Sequence, residues 1–348
     1  MKIAVYAIAK NEVSFVERWQ NSACDADSLH ILDTGSEDAT VTAARDLGVD
    51  VRKDTVHPWR FDAARNLSLA MVPSDTDLCI ALDMDEVLVP GWRDELEKLG
   101  PEITRPRYKY TWSWERPGIP GLQYGGDKIH ARHGYRWKHP VHEVLVPEGI
   151  NEAQAWCNLE IHHHPDRTKS RGQYFPLLEL AVEEDPDDDR NSHYLAREYY
   201  FHGEYEKAEK EFKRHLSLES ETWGAERAQS LRYLFKITNN HYYLYDAVAA
   251  DPSRREAMVD LANYWYGKKQ WEPCFQWAKK ALSITDRPLE YLTKSFAWGA
   301  LPHDLAAISA YNLGYYHEAK FHGMEALKLS PYEDRLVENY EFYKKAAA

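Results

Sequence analysis

The chain contains 348 residues, of which 56 are Asp or Glu and 43 are Lys or Arg, and its formal net charge is -13. This length exceeds one ordinary core, so we expect about two domains, and the acidity argues against a nucleic-acid partner, because phosphate binding depends on Lys and Arg. Four widely spaced cysteines without a CxxC pair and no apolar run near 18 residues predict a cytoplasmic protein with reduced thiols and no membrane span.

Strands and helices alternate over the first hundred residues. Short β-rich apolar runs predict strands, and apolar residues at helical spacing predict helices. The predicted strands cover 2–10, 28–36, 49–56 and 77–86, and the predicted helices cover 12–23, 37–48 and 60–72. Because strands that alternate with helices of this length form βαβ units, we expect a mainly parallel sheet with helices on both faces.

Polar clusters follow three of these strands, at residues 10–12, 33–36 and 83–86. In sheets of this kind, ligands bind beyond the carboxyl ends of the strands. Two carboxylates two residues apart, Asp83 and Asp85, can hold one hard cation and leave positions for phosphate oxygens. A turn or a helix cap is the alternative interpretation of the same Asp-x-Asp sequence.

The helical rhythm stops between residues 105 and 165. Residues 108–115 alternate aromatic and polar side chains, which predicts a strand, and a Gly/Pro-rich turn follows them. Two further segments, RHGYRWKHPVHEVL and AWCNLEIHHHPD, have the same character. We expect antiparallel strands and loops added to the parallel half.

From residue 191 onward the sequence predicts only helices, and the acidic stretch EEDPDDDRN before it marks a boundary. Residues 311–331 follow the tetratricopeptide (TPR) pattern, in which a small residue lets two helices approach. Two related segments place Ala208 and Cys274 at the position of Ala319. The intervals are 66 and 45 residues, which predicts an extra helical element between the first two units.

The large aromatic residues of the repeats are expected to serve mainly as core, because TPR helices need them for their own packing. The residues concerned are Tyr199, Tyr205, Trp271, Tyr311 and Tyr316. A binding role therefore attaches to this part of the chain as a whole.

Four short motifs occur in order at the predicted strand ends and helix starts: AIAKNE, LDTGSEDAT, FDAARNLSL and LDMDE. With them, the first 165 residues resemble a family 2 glycosyltransferase of the GT-A fold, and LDMDE resembles the family's Asp-x-Asp motif. The chain also resembles one subgroup of this family, which contains a peptide S-glycosyltransferase. The resemblance rests on the sequences ARN and HE, a late histidine and the helical repeats.

The resemblance implies an α/β N-terminal GT-A domain, Rossmann-like with a mainly parallel sheet, over residues 1–185. Its nucleotide-binding half would be 1–100 and its acceptor half 101–185. An all-α TPR-like helical repeat domain would follow over residues 186–348.

The resemblance also implies contacts with the nucleotide of a UDP-sugar. Asp33 would accept the N–H of the uridine base, Asn11 and Glu12 would border the nucleotide, and Arg65 would lie by the base or the diphosphate. Each residue has a structural alternative. Asp33 or Ser36 could cap the next helix, Glu12 could be an acid favoured by the helix dipole, and Arg65 could be a solvated helix residue.

A divalent cation is implied as well, Mn²⁺ or Mg²⁺. Asp83 and Asp85 would hold the ribose and the cation, with Asp85 the closer ligand. Relatives use a late histidine as a metal ligand in a pattern resembling Ile-x-His-x-Gly, which here selects His163, with His164 as the alternative because Pro165 replaces the glycine. A histidine ligand suits Mn²⁺ more than Mg²⁺.

Glu143 in HPVHEVL is the candidate catalytic base. An inverting transfer needs a group that takes the proton of the attacking acceptor, and the family uses an acidic residue near this point. The alternative is a strand salt bridge from Glu143 to Arg136 or Lys138. Three tryptophans could stack on sugar faces or belong to the core: Trp112, Trp114 and Trp137.

Together these features predict a metal-dependent glycosyltransferase that moves a sugar from a UDP-sugar to an acceptor, with inversion. A nucleotide-sugar nucleotidyltransferase would share the scaffold but usually has a Gly-rich loop, which AIAKNE lacks. A non-catalytic TPR scaffold with a degenerate GT-A domain would not need the carboxylates and histidines described above. The helical repeats are expected to recruit a peptide, glycan or other acceptor, or to form a homodimer.

Overall fold

A computed structural model describes residues 1–166, 172 and 174–348 of the protein. They form two compact units, Met1–Glu184 and Asp185–Ala348. Within the described residues, no helix combines the length and the apolar character that a bilayer crossing requires.

The first unit contains thirteen strands and five helices among its described residues. The strands are β1 Ile3–Ala9, β2 Ser28–Asp33, β3 Asp50–Lys53, β4 Leu78–Ala81, β5 Glu86–Leu88, β6 Arg105–Thr111, β7 Trp114–Arg116, β8 Ile119–Pro120, β9 Gln123–Gly126, β10 Ile129–Ala131, β11 Tyr135–Lys138, β12 Val144–Pro147 and β13 Gln154–His163. The helices are α1 Val13–Ala23, α2 Thr40–Asp46, α3 Phe61–Met71, α4 Trp92–Glu97 and α5 Tyr174–Glu184.

The main sheet has the strand order β10-β4-β1-β2-β3. The pairs β1–β2, β1–β4 and β2–β3 are parallel, and β10 is added antiparallel to β4. Parallel neighbours need crossover connections, and the helices α1, α2 and α3 lie in these connections. The predicted mainly parallel α/β architecture is confirmed.

Both faces of β1 are buried, as expected for a sheet covered on two sides. Ile3 and Val5 belong to one core together with Trp19 of α1. Tyr6, which points to the other face because strand side chains alternate, belongs to a second core with Leu69 of α3. Burial on both faces therefore explains the apolar run of β1. The polar residues that follow β1 lie at the edge of the sheet.

A second sheet, in the order β5-β13-β6-β9, lies beyond β4 in the chain. Strand β13 pairs antiparallel with β5 and parallel with β6, so the region predicted as antiparallel contains one parallel pair. The predicted strand over 108–115 is interrupted: β6 ends at Thr111, and Trp114 belongs to β7. Tyr108 and Tyr110 of β6 are buried, in agreement with the expected aromatic face.

The second unit consists of helices. They are α6 Asp189–Phe201, α7 Tyr205–His215, α8 Gly224–Thr238, α9 Tyr242–Ala250, α10 Glu256–Gly267, α11 Trp271–Leu282, α12 Leu301–Asn312, α13 Tyr316–Leu329 and α14 Asp334–Ala346, with a 3₁₀ turn over Ser295–Ala297. Consecutive helices pack in pairs, α6 on α7, α8 on α9, α10 on α11 and α12 on α13. The unit is an all-α, TPR-like helical repeat.

The small residues of the TPR pattern occupy the positions expected of them. Ala208, Cys274 and Ala319 are completely buried. Gly203 and Gly314 have φ values of +77° and +82° in the turns that precede α7 and α13, a conformation that glycine adopts without strain. The extra helical element predicted between the first two units is the pair α8–α9.

The expectation that the large aromatic residues of the repeats are core is wrong for three of them. Tyr205, Tyr311 and Tyr316 are exposed by 53%, 36% and 43%. Tyr205 and Tyr316 are the first residues of α7 and α13, and the first turn of a helix has fewer neighbours than its middle. The other two of these five residues, Tyr199 and Trp271, are half-buried.

Candidate active site

The candidate site lies at the edge of the main sheet where the parallel strands end. Strand β1 pairs with β2 as far as Ala9 opposite Asp33, and Asn11 follows two residues later. On the other side of β1, strand β4 ends at Ala81, and Asp83 follows it. Because the carboxyl ends of parallel strands share one edge, the three predicted polar clusters lie on the same side of the sheet.

Asp33 is 1% exposed. Its Oδ1 accepts hydrogen bonds from the backbone N–H groups of Gly35 and Ser36, at 3.3 and 3.1 Å, which closes the turn after β2. Its Oδ2 is buried and accepts no hydrogen bond within the described residues. An unpaired buried carboxylate oxygen is energetically costly, and a ligand N–H group would satisfy it.

Asn11 and Glu12 connect the loop after β1 to the loop after β2. The Asn11 N–H donates to Ser36 Oγ at 2.8 Å, and Asn11 Oδ1 accepts from the Glu37 N–H at 2.8 Å. The Glu12 N–H donates to Thr40 Oγ1 at 2.7 Å. Asn11 is exposed and has a φ of 57°, a conformation that Asn tolerates better than most residues. Both residues therefore shape the loop, and the exposed face of Asn11 remains accessible.

Asp83 is held between the buried Arg65 and the half-buried Lys128. Its Oδ1 accepts from Arg65 Nη2 and its Oδ2 from Lys128 Nζ, each at 2.8 Å. Lys128 also donates to Glu86 Oε1 at 2.7 Å. Glu86 is 1% exposed, and its Oε2 accepts from the Asp83 N–H at 2.8 Å. These four side chains form a closed network of charges.

The network fixes the charge states of its carboxylates. Burial raises the pKa of Asp83, but the charges of Arg65 and Lys128 outweigh burial and hold that pKa well below its usual range. Burial and the neighbouring Asp83 charge raise the pKa of Glu86, against the opposing effect of Lys128. Tyr110 also donates its hydroxyl to Glu86 Oε1, at 2.6 Å. Asp83 is thus a permanent anion whose two oxygens are already oriented.

Glu143 lies in the loop before β12, and its Oε1 accepts from Arg65 Nε. The expected alternative, a strand salt bridge to Arg136 or Lys138, is not formed, and Arg136 lies 3.9 Å from Glu148 instead. Glu143 Oε2 accepts no hydrogen bond from the described part of the chain. The Arg65 guanidinium thus joins the predicted base to the Asp-x-Asp motif.

Trp137 belongs to the core rather than to a sugar-stacking surface. It is 2% exposed, its indole N–H donates to Tyr6 Oη at 2.8 Å, and the Arg65 guanidinium lies 4.9 Å from its ring centre. Trp137 therefore packs against the Arg65 guanidinium.

Asp85 faces His163. Asp85 Oδ2 is 3.2 Å from His163 Nε2, and the His163 ring stacks on Trp112 at 4.2 Å with an angle of 17°. His163 Nδ1 is 2.9 Å from the Trp112 carbonyl oxygen. Because a carbonyl oxygen only accepts, Nδ1 carries a hydrogen and donates. In the neutral ring, the lone pair of Nε2 then points to the Asp85 carboxylate.

This pair fits a divalent cation. Two ligand atoms that bind one ion at right angles with bonds of about 2.1 Å lie about 3.0 Å apart, close to the separation of the carboxylate oxygen and the imidazole nitrogen. A backbone carbonyl that fixes the tautomer of a ligating histidine is a common feature of metal sites. Burial lowers the pKa of His163, but Asp85 outweighs burial and the pKa is raised. The same lone pair therefore attracts either a proton or a metal ion.

The strand register brings the ring of His163, and not that of His164, to Asp85. His163 pairs with Glu86 across β13 and β5, which brings its ring to Asp85. The backbone N–H of His164 donates to the Asp85 carbonyl oxygen at 2.8 Å, but its ring lies parallel to Trp114, with centres 5.8 Å apart. Burial and the charge of Arg18 lower the pKa of His164.

Three residues near the site were not singled out from the sequence. Glu86 was visible as the third carboxylate of LDMDE, but nothing showed that it is buried. Lys128 lies immediately before β10, and only the pairing of β10 with β4 brings it to Asp83. Arg18 on α1 lies 5.0 Å from the centre of the Phe15 ring, and its charge lowers the pKa of His164.

No protein-family model matches the chain. A curated relative, named an uncharacterized glycosyltransferase from Rickettsia bellii (strain RML369-C), is 33% identical over 108 residues. The matched part is 31% of this chain and 35% of the relative, so the chain spans about a third of that relative's length. Part of the chain is therefore similar to a protein that is named as a glycosyltransferase.

Several solved structures are similar to this chain. MamA has a TM-score of 0.36 and 15% identity, over 45% of this chain and 86% of MamA. YrrB, described as a TPR protein with an unusual peptide-binding site, has a TM-score of 0.39 and 13% identity, over 48% of this chain and 81% of YrrB. PilF of Pseudomonas aeruginosa has a TM-score of 0.37 and 14% identity, over 49% and 72%. These scores carry no information about activity.

Proposed function

We propose that the protein is a metal-dependent glycosyltransferase of the family 2, GT-A type, which transfers a sugar from a UDP-sugar to an acceptor with inversion. The observation that carries the proposal is the pair formed by Asp85 Oδ2 and His163 Nε2, 3.2 Å apart at the end of an apolar strand. Asp85 keeps 30% of its side chain exposed, so a bound cation would retain positions for phosphate oxygens.

Asp85 and His163 would hold the cation, and their donor set, one carboxylate and one imidazole, suits Mn²⁺ better than Mg²⁺. A bound divalent cation would neutralise the charge that develops on the departing diphosphate. Arg18 supports the same task. Arg18 is exposed, its guanidinium lies 5.0 Å from the centre of the Phe15 ring, and it is close enough to Asp85 for the two charges to interact.

Asp33 is proposed to recognise the base. Its buried Oδ2 lacks a donor, and the N3–H of uracil would supply one. A cytosine ring has no hydrogen at this nitrogen, so the same oxygen discriminates against it. Asn11 and Glu12 lie in the adjoining loop, next to the turn that Asp33 closes, and would border the nucleotide.

Asp83 is proposed to accept a hydroxyl of the ribose and to lie beside the cation. Each of its oxygens is engaged by only one cationic donor, and a carboxylate oxygen has a second lone pair. Arg65 and Lys128 hold both oxygens in fixed orientation. Arg65 therefore acts through Asp83 and Glu143, and not as a free guanidinium that reaches for the diphosphate.

Glu143 is proposed as the base that takes the proton of the acceptor. Its Oε1 is engaged by Arg65, which leaves Oε2 for the incoming nucleophile. The buried Arg65 guanidinium fixes the position of the Glu143 carboxylate.

The helical unit is proposed to recruit a macromolecular acceptor, such as a peptide or a glycan. Exposed aromatic side chains favour binding because they combine a large contact area with a polar tip. Tyr205, Tyr242 and Tyr332 are exposed by 53%, 66% and 93%. Such a surface also suits a homodimer, which sedimentation of the full chain would reveal.

The experiment that tests the proposal is calorimetric titration of the full chain with UDP, with Mn²⁺ and after chelation. We expect UDP to bind with Mn²⁺ and its affinity to fall by on the order of 100-fold on chelation, since the cation contributes several kcal/mol. CDP serves as the control nucleotide and should bind more weakly. Equal UDP affinity with and without metal would contradict the metal-dependent assignment.

A further inference from the structure

A second group of metal-ligand residues lies in the helical unit, remote in sequence from the donor site. Asp189 is the first residue of α6, His215 is the last residue of α7, and Glu226 lies in the first turn of α8. One ligand atom from each residue lies within 4.8 Å of the other two. Three helix ends therefore bring a carboxylate, an imidazole and a second carboxylate to one point.

His215 has no hydrogen-bond partner in this group. It is 0% exposed, and both of its ring nitrogens are buried without a partner within the described residues. Its Nε2 is 3.8 Å from Glu226 Oε2, which is too far for a hydrogen bond. A buried imidazole with both nitrogens unsatisfied is costly, and TPR packing does not require a histidine at this position.

The neighbours of Glu226 orient its carboxylate toward the histidine. Tyr291 donates its hydroxyl to Glu226 Oε1 at 2.6 Å, so Oε2 remains on the side of His215. Glu226 is 2% exposed.

The distances suit a transition-metal ion. In a tetrahedral site with bonds of about 2.0 Å, ligand atoms lie about 3.3 Å apart, so the three groups need to approach by a fraction of an ångström to at most about 1.5 Å. Asp189 is only half-buried, which gives an ion a route from solvent. His193, one turn after Asp189, has a buried Nε2 without a partner, and its ring centre is 5.4 Å from that of His215.

We propose that Asp189, His215 and Glu226 form a binding site for a divalent transition-metal ion of the Zn²⁺ type. Imidazole and carboxylate ligands together suit Zn²⁺. The ion would join the beginning of α6, the end of α7 and the beginning of α8, and would fix the first helix pair of the repeat. Because it binds only the folded state, it would raise the thermal stability of the full chain.

The test uses the full chain, stripped with a chelator, equilibrated with Zn²⁺ and analysed for bound zinc by mass spectrometry of the metal. Parent and Glu226→Gln are compared, so zinc bound at Asp85 and His163 cancels. The matched control is Glu256→Gln. Glu256 lies in the first turn of α10 and is 3% exposed, but it faces Arg254 rather than a histidine.

We expect Glu226→Gln to bind about one equivalent less zinc than the parent, as the loss of one of three ligands predicts, and Glu256→Gln to bind as much as the parent. Zinc should raise the melting temperature of the parent and of Glu256→Gln, and leave that of Glu226→Gln unchanged. Equal zinc in the parent and Glu226→Gln overturns the proposal, as does an equal loss in Glu256→Gln.

A second variant covers the case in which Glu226→Gln fails to fold. Asp189→Asn changes a half-buried residue and leaves the helix cap intact, because Asp188 is the residue that accepts from the Asn191 N–H, at 2.6 Å. Circular dichroism verifies its fold. Asp189→Asn should also bind about one equivalent less zinc, because it lacks one of the ligands, and zinc binding equal to that of the parent overturns the proposal.

Discussion

Asp83 and Asp85 are two residues apart in one motif, yet they face different partners. Asp83 is closed in by Arg65 and Lys128, and both of its oxygens are engaged. Among the described residues, the Asp85 carboxylate faces His163. The two side chains are about equally exposed, Asp83 by 31% and Asp85 by 30%, so the difference lies in their partners. The first carboxylate is paired with two cations in a charge network, and the second forms an open pair with one imidazole nitrogen.

The difference shows how an Asp-x-Asp motif divides its work. Asp83 lies next to β4, where α3 supplies Arg65 and the segment before β10 supplies Lys128. Asp85 lies next to β5, whose partner β13 supplies His163. A carboxylate that is paired with two cations is held in place, whereas a carboxylate beside an imidazole lone pair can exchange a proton or a metal ion. Under the proposed function, positioning and metal binding would therefore fall on different carboxylates.

The largest expected effect is the loss of the closed network in Arg65→Met. The substitution leaves Asp83 and Glu143 without their shared cation, and removing one partner of a buried ion pair costs about 3–5 kcal/mol. The free energy of unfolding, measured with urea, should fall by this amount. The control is Arg52→Met, whose exposed pair with Asp54 should contribute less than about 1 kcal/mol. Equal losses in the two variants would show that Asp83 is not held as we describe.

The second prediction tests whether Glu143 takes a proton from the acceptor or only positions Arg65. Glu143→Gln keeps an oxygen that can accept from Arg65 Nε but removes the base, so turnover should fall by about 10²–10⁴-fold with UDP affinity unchanged. UDP release in the presence of an acceptor measures turnover. Glu148→Gln, at the exposed partner of Arg136, is the control. A Glu143→Gln enzyme with near-normal turnover would leave Glu143 a positioning residue for Arg65.

The sequence predicts the order of strands and helices well, because period and length decide it. Strand β1 and helix α3 differ from their predicted ranges by only one or two residues at each end. Helix α2 was predicted from residue 37 but begins at Thr40. Asp38 instead accepts the N–H groups of Thr40 and Val13, so a contact from α1 replaces the first turn of the predicted helix.

The candidate site was predictable only where a motif carries it. The separation of Asp83 and Asp85 and the pattern around His163 are local in sequence. Lys128 and Glu86 meet through a hydrogen bond that spans 42 residues, and the Arg65–Glu143 contact spans 78. Such contacts depend on which strands become neighbours, and β10 joins the sheet beside β4 only through a non-local antiparallel pairing.

The third prediction concerns the open pair. Asp85→Ala removes the exposed carboxylate ligand, so Mn²⁺-dependent UDP affinity should fall roughly 100-fold, or about 2.8 kcal/mol, while the urea unfolding curve stays close to that of the parent. Calorimetry with and without Mn²⁺ measures the affinity. The control is Asp75→Ala, at a carboxylate that pairs with Lys2 on the surface. Unchanged UDP affinity in Mn²⁺ would show that Asp85 is not a metal ligand.

The smallest expected effect concerns His163. His163→Gln replaces the imidazole nitrogen by an amide, and the affinity for Mn²⁺ should fall by about 10-fold, or about 1.4 kcal/mol. A nitrogen ligand favours Mn²⁺ over Mg²⁺. The ratio of the UDP affinity in Mn²⁺ to that in Mg²⁺ should therefore decrease in the same variant.

The neighbouring His164→Gln is the matched control, since its ring stacks near Trp114 and not beside Asp85. It should bind Mn²⁺ as the parent does. If His164→Gln lost the affinity and His163→Gln kept it, the register of β13 against β5 in the metal-loaded protein would differ from the one described, because a shift by one residue exchanges the two faces of a strand. The variants His163→Gln and His164→Gln therefore test both the identity of the metal ligand and the pairing of β13 with β5 that places it beside Asp85.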